Sequence, residues 1–112
     1  MSMTPAGKNI ALNAIAYDMA SIHTGAPTDN GTANEVTGGT YSRKAITMSS
    51  SSDGARDSSN QPVFNIPAGT TITHYCLWAG VTCVDVGTLS DNESYAADGD
   101  YTLTDADVNL NG

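Results

Sequence analysis

The residues of this sequence whose types could do chemistry are concentrated in one stretch, Ile72 to Leu89, which reads ITHYCLWAGVTCVDVGTL. It holds the only tryptophan, both cysteines and one of the two histidines. Two thiols and an imidazole could bind zinc, form a catalytic pair, or face each other across a hairpin. The three interpretations predict three different proteins, so the spacing of these residues has to decide between them.

The spacing argues against zinc and against cysteine catalysis. A structural zinc site needs four ligands, and Cys76, Cys83 and His74 supply only three. The fourth would have to be the distant His23, and the C-x6-C spacing is not that of a zinc knuckle. A cysteine on an apolar strand is usually an inert small side chain, and the only base nearby is His74, two residues away. We therefore expect no metal, no cofactor and no catalytic residue.

A hairpin accounts for the stretch better. If a tight turn is centred on Ala79-Gly80, Cys76 lies opposite Cys83 on the neighbouring strand. Directly opposed residues have Cβ atoms about 4.5 to 5.5 Å apart, which is slightly beyond the usual disulfide range but can be reached with local twist. We expect the two sulfurs to lie close together, and both a disulfide and a reduced pair stay open.

Large side chains alternate along the first strand of this hairpin, so both of its faces are apolar. Trp78 shares a face with Cys76, while Tyr75 points to the other face. Such a strand is typically central and covered on both sides by a second sheet, a helix or another subunit. Tyr75 and Trp78 are therefore candidate assembly contacts. The basic pair Arg43 and Lys44 is either a solvated edge charge or a source of salt bridges between subunits.

Other constellations give weaker signals. Four carboxylates near the C-terminus, Asp98, Asp100, Asp105 and Asp107, could bind calcium, but their spacing does not match a calcium-binding loop. We interpret them as solvated carboxylates beside a terminal strand. The sequence also lacks a G-x-S-x-G nucleophile elbow and a glycine-rich phosphate loop followed by a helix.

Composition limits the class of protein. The 112 residues are enough for one domain, residues 1–112, but not for two hydrophobic cores. The net charge is -8, from 4 basic and 12 acidic residues, and it would repel a nucleic acid backbone. Turn-forming residues are plentiful and only 6% of residues are aromatic, a mixture that favours short strands. The chain has no apolar run long enough for a membrane span and no secretion signal, so we expect cytoplasmic synthesis and no membrane contact.

The pattern along the chain predicts one helix followed by strands. Thr4 and Pro5 can start the helix, and apolar residues at helical spacing carry it to Met19, so that it covers residues 4–19. Residues 25–39 and 49–61 are rich in turn formers and polar side chains, which indicates surface loops. Strands are predicted at Tyr41–Met48, Val63–Ile66, Ile72–Trp78, Val81–Leu89, Tyr101–Leu103 and Val108–Leu110. We expect a mainly β fold, an antiparallel β-sandwich of jelly-roll character with one N-terminal α-helix.

Five segments in order along nearly the whole chain carry a family resemblance. They read TPAGKNIALNAI, GAPTDNGTANEVTGG, YSRKAIT, PVFNIPAGTTITHYCLW and DGDYTLTDADVNL. Together they resemble a family of short bacteriophage virion structural proteins commonly labelled phage tail fibre-like. That family usually has a small residue in place of Cys76 and a glycine-rich tip after the tryptophan, whereas this chain has AGVTC.

The resemblance implies a non-enzymatic virion structural protein on the particle exterior, synthesised in the host cytoplasm. It would act as a capsid decoration or cement protein, or as a tail-fibre or tail-tip module. Its partners would be other copies of itself, as a trimer or a lattice, and other phage capsid or tail proteins. An alternative is a carbohydrate-binding module in which Trp78 or Tyr75 stacks on host-surface glycans. A small hydrolase is the third hypothesis. Cytoplasmic synthesis further predicts that the thiols are reduced at assembly and can close to a disulfide in released particles.

Overall fold

The computed structural model describes residues 3–28, 30–104 and 106–109 of the chain. One helix and eight strands are found in these ranges. In chain order they are α1 (Pro5–Asn13), β1 (Met19–His23), β2 (Lys44–Ala45), β3 (Ala55–Arg56), β4 (Val63–Ile66), β5 (Thr70–Ala79), β6 (Thr82–Tyr95), β7 (Gly99–Thr102) and β8 (Val108–Asn109).

All strand pairs are antiparallel and form three sheets. The largest has the order β2-β1-β5-β6, and the others are the pairs β3-β8 and β4-β7. Side chains from all three sheets and from the helix meet in one buried cluster, which includes Leu12, Ile22, Phe64, Leu77 and Val108. The predicted mainly β, antiparallel fold with an N-terminal helix is therefore confirmed.

The helix is shorter than predicted. Thr4 caps it as expected, because its hydroxyl accepts a hydrogen bond from the Gly7 amide at 3.1 Å, and Pro5 follows in the first turn. However, α1 ends at Asn13, and Met19 instead begins β1. The reason is that a short apolar segment fits both a helical and a strand period, and here the central position of β1 in the sheet decides.

Arg56 joins the polar segment 49–61 to the end of α1. The Arg56 guanidinium donates hydrogen bonds to the carbonyls of Leu12 at 2.8 Å, Ile15 at 2.9 Å and Ser49 at 2.7 Å. Two of these carbonyls lie at or just beyond the end of α1, where backbone carbonyls are only partly satisfied by the helix. The predicted surface loop at 49–61 also contains the two-residue strand β3, which pairs with β8.

The hairpin of β5 and β6 has a different register from the predicted one. Ala79 pairs with Thr82 and Trp78 pairs with Cys83, so the turn is centred on Gly80-Val81 instead of Ala79-Gly80. Gly80 has a φ of 61°, and a positive φ at this first turn position is what a tight hairpin turn requires. An irregularity then follows between Leu77 and Trp78. The expected direct opposition of the two cysteines is therefore wrong.

The molecule is elongated, with principal extents of 47 × 25 × 25 Å. Strand β6 forms one edge of the four-stranded sheet and β2 forms the other. Within the described ranges, no helix has the length and apolar character that crossing a membrane requires.

Replacing Phe64 by alanine tests the shared core. Phe64 is fully buried, so Phe64→Ala should lower the free energy of unfolding by about 3 to 5 kcal/mol, through lost burial and the cavity that remains. The neighbouring Val63 is 47% exposed and provides the control, since Val63→Ala should cost less than about 1 kcal/mol. Urea unfolding followed by circular dichroism measures both. Equal costs would contradict the assignment of Phe64 to the core.

Candidate functional site

The chemistry-bearing residues lie on the face of the four-stranded sheet that points away from the main core. Ala20 and Ile22 of β1 belong to the core cluster, so their neighbours in the strand point to the opposite side. We call this side the covered face; it consists of Ser21, His23, Cys76, Trp78 and Cys83. Residues 24–28 and 30–36, the covering loop, close over it. A Cβ on Gly31 in this loop would lie 2.5 Å from the Cys83 Cβ and 3.2 Å from the Trp78 ring.

A chain of hydrogen bonds crosses the covered face and ends on the loop. The Trp78 Nε1–H donates to the Ser21 hydroxyl oxygen at 2.8 Å. That hydroxyl lies 2.7 Å from His23 Nε2, and His23 Nδ1 lies 2.8 Å from the Ala33 carbonyl oxygen. A carbonyl only accepts, so Nδ1 carries a proton, and in the neutral imidazole Nε2 accepts from the Ser21 hydroxyl. Burial favours this neutral form, because it disfavours the charged ring.

A second network fixes the far end of the loop. The Arg43 guanidinium donates to both Glu35 carboxylate oxygens, at 3.1 and 2.9 Å, and also lies 3.8 Å from the centre of the Trp78 ring. The Tyr41 hydroxyl donates to Glu35 at 2.9 Å and accepts from the Ile22 amide at 3.0 Å. A bidentate ion pair stacked on an aromatic face is stronger than an exposed pair. The loop is therefore fastened at Ala33 and again at Glu35.

Burial and charge shift the titration of the groups in both networks. Burial lowers the pKa of His23, with smaller lowering by the charges of Arg43 and His74, against the opposing effects of the Ala33 hydrogen bond and Glu35. For Glu35, burial alone would raise the pKa, but the hydrogen bonds from Arg43 and Tyr41 and the Arg43 charge lower it on balance. Folding thus favours a neutral histidine beside an ionised glutamate.

The two thiols lie side by side under the same loop. Their sulfur atoms are 3.4 Å apart and not bonded, and Cys76 Sγ is 3.9 Å from the Gly31 carbonyl oxygen. Burial, with the neighbouring Cys83 thiol, raises the pKa of Cys76 to about 12. Cys76 pairs with Val86 and Cys83 pairs with Trp78, so the two sulfurs approach each other diagonally across the strands. Disulfide formation stays a prediction.

Three of the four proposed assembly contacts, Tyr75, Trp78 and Arg43, are buried or paired within this chain. Tyr75 is 8% exposed and Trp78 is 2% exposed, so neither ring is available to another subunit in this fold. Arg43 is paired with Glu35 of its own chain, and Lys44 lies in the edge strand β2. The chain itself covers both faces of β5, which removes the reason for expecting a second copy there.

The covered face anchors a loop, and of its five side chains only Cys83 is partly exposed. Ser21 and His23 are hydrogen-bonded like a catalytic pair, yet both are completely buried. In the ranges that the structure describes, no three His, Cys, Asp or Glu side chains are grouped as metal ligands would be. Of the C-terminal carboxylates, Asp98 accepts a hydrogen bond from the Ala68 amide, and Asp105 lies outside the described residues.

Four residues of these networks, Ser21, Gly31, Glu35 and Tyr41, were not identified from the sequence. Their partners lie on other elements, and residues 19–23 were assigned to a helix or left between elements. The alternation of Ser21, Ile22 and His23 is a strand signal that could have located the first of them. The pairing of Glu35 with Arg43 has no local signal, because the two residues meet only once the sheet is formed.

The fold and this face define a β-sandwich whose polar groups are used internally to hold a surface loop, which is the construction of a structural module. Residues 7–109 match the profile of a family described as podophage GP4 fiber I protein gp80. The match spans most of the chain, and the protein therefore belongs to this family of phage fibre proteins. A comparison with curated proteins found no match. The resemblance to tail fibre-like phage proteins is confirmed, and it implies a virion component that associates with other virion proteins.

Substituting Gly31 tests how closely the loop covers the thiols. Gly31 has a φ of 73°, and an alanine methyl there would clash with Cys83. Gly80 has a φ of 61° with nothing within 4 Å, so Gly80→Ala carries the backbone cost alone, about 1 to 2 kcal/mol. Gly31→Ala should lower the free energy of unfolding by roughly 1 to 3 kcal/mol more than this control. Equal effects in urea unfolding would mean that the loop does not pack on the cysteines.

The neutral His23 predicts that stability falls with acidification. Its folded pKa is lowered, so below the unfolded pKa of about 6.5 the unfolded chain takes up a proton that the folded chain refuses. The free energy of unfolding should therefore decrease from pH 7 to pH 5, by at most about 1.4 kcal/mol per pH unit from this group. His23→Gln should remove that part of the decrease, whereas His74→Gln should retain it. If the free energy of unfolding of the wild-type protein changed with pH in parallel with that of His23→Gln, the lowered folded pKa of His23 would be contradicted.

Proposed function

We propose that this protein is a non-enzymatic structural part of a phage fibre on the exterior of the virion. The observation that carries the proposal is the family match over residues 7–109. The structure supports it in a second way, because Ser21, His23 and Trp78 are buried and hydrogen-bonded to one another. Synthesis in the host cytoplasm follows from the same proposal, since fibre proteins join particles that assemble inside the host.

Contacts with other copies are proposed at the edge strand β6. It is 14 residues long, and in the described part of the chain it pairs in a sheet only with β5. An exposed edge offers unpaired amides and carbonyls to a strand of another chain. Val86 in β6 is 48% exposed and Val81 in the turn before it is 94% exposed, so apolar side chains are available on and beside this strand. A trimer or a lattice can be built from such an edge if its contact is repeated by symmetry.

A place on the tail is preferred to a capsid decoration or cement role. The family description names a fiber protein, and an elongated domain of 47 × 25 × 25 Å can be linked in series along a fibre. A cement protein covering joints between shell subunits would have the same surface chemistry. The copy number distinguishes the two roles.

Recognition of host glycans is a weaker candidate. It depended on Trp78 and Tyr75 as rings on which a sugar could stack, and stacking needs an exposed ring face. Both rings are buried in this structure. Glycan-array binding that is lost in Trp78→Ala, with unchanged incorporation into particles, would nevertheless favour this function.

Counting and locating the protein on purified particles tests the proposal. We expect a few tens of copies or fewer per particle by quantitative mass spectrometry against the major shell protein, and a position at the tail by cryo-electron microscopy. Hundreds of copies spread over the shell would instead show a decoration protein. Absence from washed particles would overturn a structural role altogether.

A further inference from the structure

The two cysteines differ in access although their sulfur atoms touch. Cys76 is completely buried, while Cys83 is partly exposed. Gly31 of the covering loop packs directly on Cys83, so the loop shields the pair from one side. Of the two cysteines, Cys83 is therefore the one with solvent-exposed surface.

We propose that Cys83 and Cys76 form a redox modification site for small-molecule disulfides of the glutathione type, with Cys83 as the attacking thiol and Cys76 as the resolving thiol. This goes beyond the structural role proposed above and does not depend on where the protein lies in the virion. The geometry carries it, because the sulfurs need to approach only from 3.4 Å to the bonded distance of about 2.05 Å.

The reaction proceeds as two thiol–disulfide exchanges. In the first, the Cys83 thiolate attacks one sulfur of the small disulfide, which forms a mixed disulfide and releases one small thiolate. In the second, the released thiolate accepts the Cys76 proton, and the resulting Cys76 thiolate attacks Cys83 Sγ. The attack expels the second small thiolate, which takes up the proton that Cys83 lost. Two protein thiols are oxidised to one disulfide, and one small disulfide is reduced to two thiols.

The order of attack follows from the surroundings of each sulfur. Burial makes the Cys76 thiolate scarce, so Cys76 reacts poorly with a reagent from solution. Once the mixed disulfide exists at Cys83, Cys76 lies in contact with its target, and proximity replaces a bimolecular encounter. A mixed disulfide on the wild-type protein should therefore be short-lived.

Oxidation of the folded protein with glutathione disulfide, followed by acid quenching, thiol alkylation and mass spectrometry, tests the proposal. We expect the wild-type protein to lose both free thiols together, with a transient adduct that peptide mapping places on Cys83. Cys76→Ala should accumulate a stable adduct at Cys83. Cys83→Ala should react at least tenfold more slowly than Cys76→Ala until urea unfolds it.

Three results would contradict the proposed redox modification site. One is a folded wild-type protein that keeps both thiols under conditions in which the urea-unfolded chain oxidises. Another is an early adduct on Cys76 instead of Cys83. The third is equal reactivity of the two single variants. The wild-type time course needs no substitution, so the proposal can be tested even if a cysteine variant fails to fold.

Discussion

The covered face of this protein is organised by the need to give one buried imidazole, that of His23, its hydrogen-bond partners. His23 lies in a central sheet position with no access to water, and an imidazole there is tolerated only when both ring nitrogens have partners. One partner, Ser21, is two residues away on the same strand, and the other, the Ala33 carbonyl, must be brought by the chain. The covering loop brings the Ala33 carbonyl over the sheet and so supplies this second partner. Trp78 completes the network, since its N–H would otherwise be buried without an acceptor.

The sequence predicted elements where a single local signal dominates. Strand β4 was predicted with its observed bounds, Val63–Ile66, because alternation and the following Pro67 agree. Strand β1 was missed because its apolar residues also continue the helical pattern that begins at Pro5. The hairpin register was shifted because the position of Gly80 within the turn, with its positive φ, cannot be read from composition. These errors arise where two local solutions are nearly equivalent and the sheet as a whole selects one.

The candidate site was likewise predicted only in part from the sequence. The sequence predicted the strand that carries the candidate residues, β5, and the closeness of the two cysteines, because both depend on one hairpin. It could not indicate that Arg43 binds Glu35 or that Gly31 lies on Cys83, since these contacts join segments that only the folded sheet brings together. It also treated apolar residues on both faces of β5 as a sign of another subunit. A covering loop of the same chain meets the same physical demand, and the strand pattern alone cannot distinguish the two.

Cationic side chains that are bound within the fold limit how this protein can contact its partners. The chain carries a net charge of -8 with only four lysines and arginines. Arg43 is bound to Glu35 and Arg56 to backbone carbonyls near the end of α1, so two of the four cations are engaged within the fold. Like-charged copies repel at long range, and salt bridges from these two arginines are not available to offset that repulsion. In the proposed contact between copies, backbone pairing along the open edge of β6 and apolar contact by Val86 in β6 and Val81 in the preceding turn would therefore supply much of the attraction.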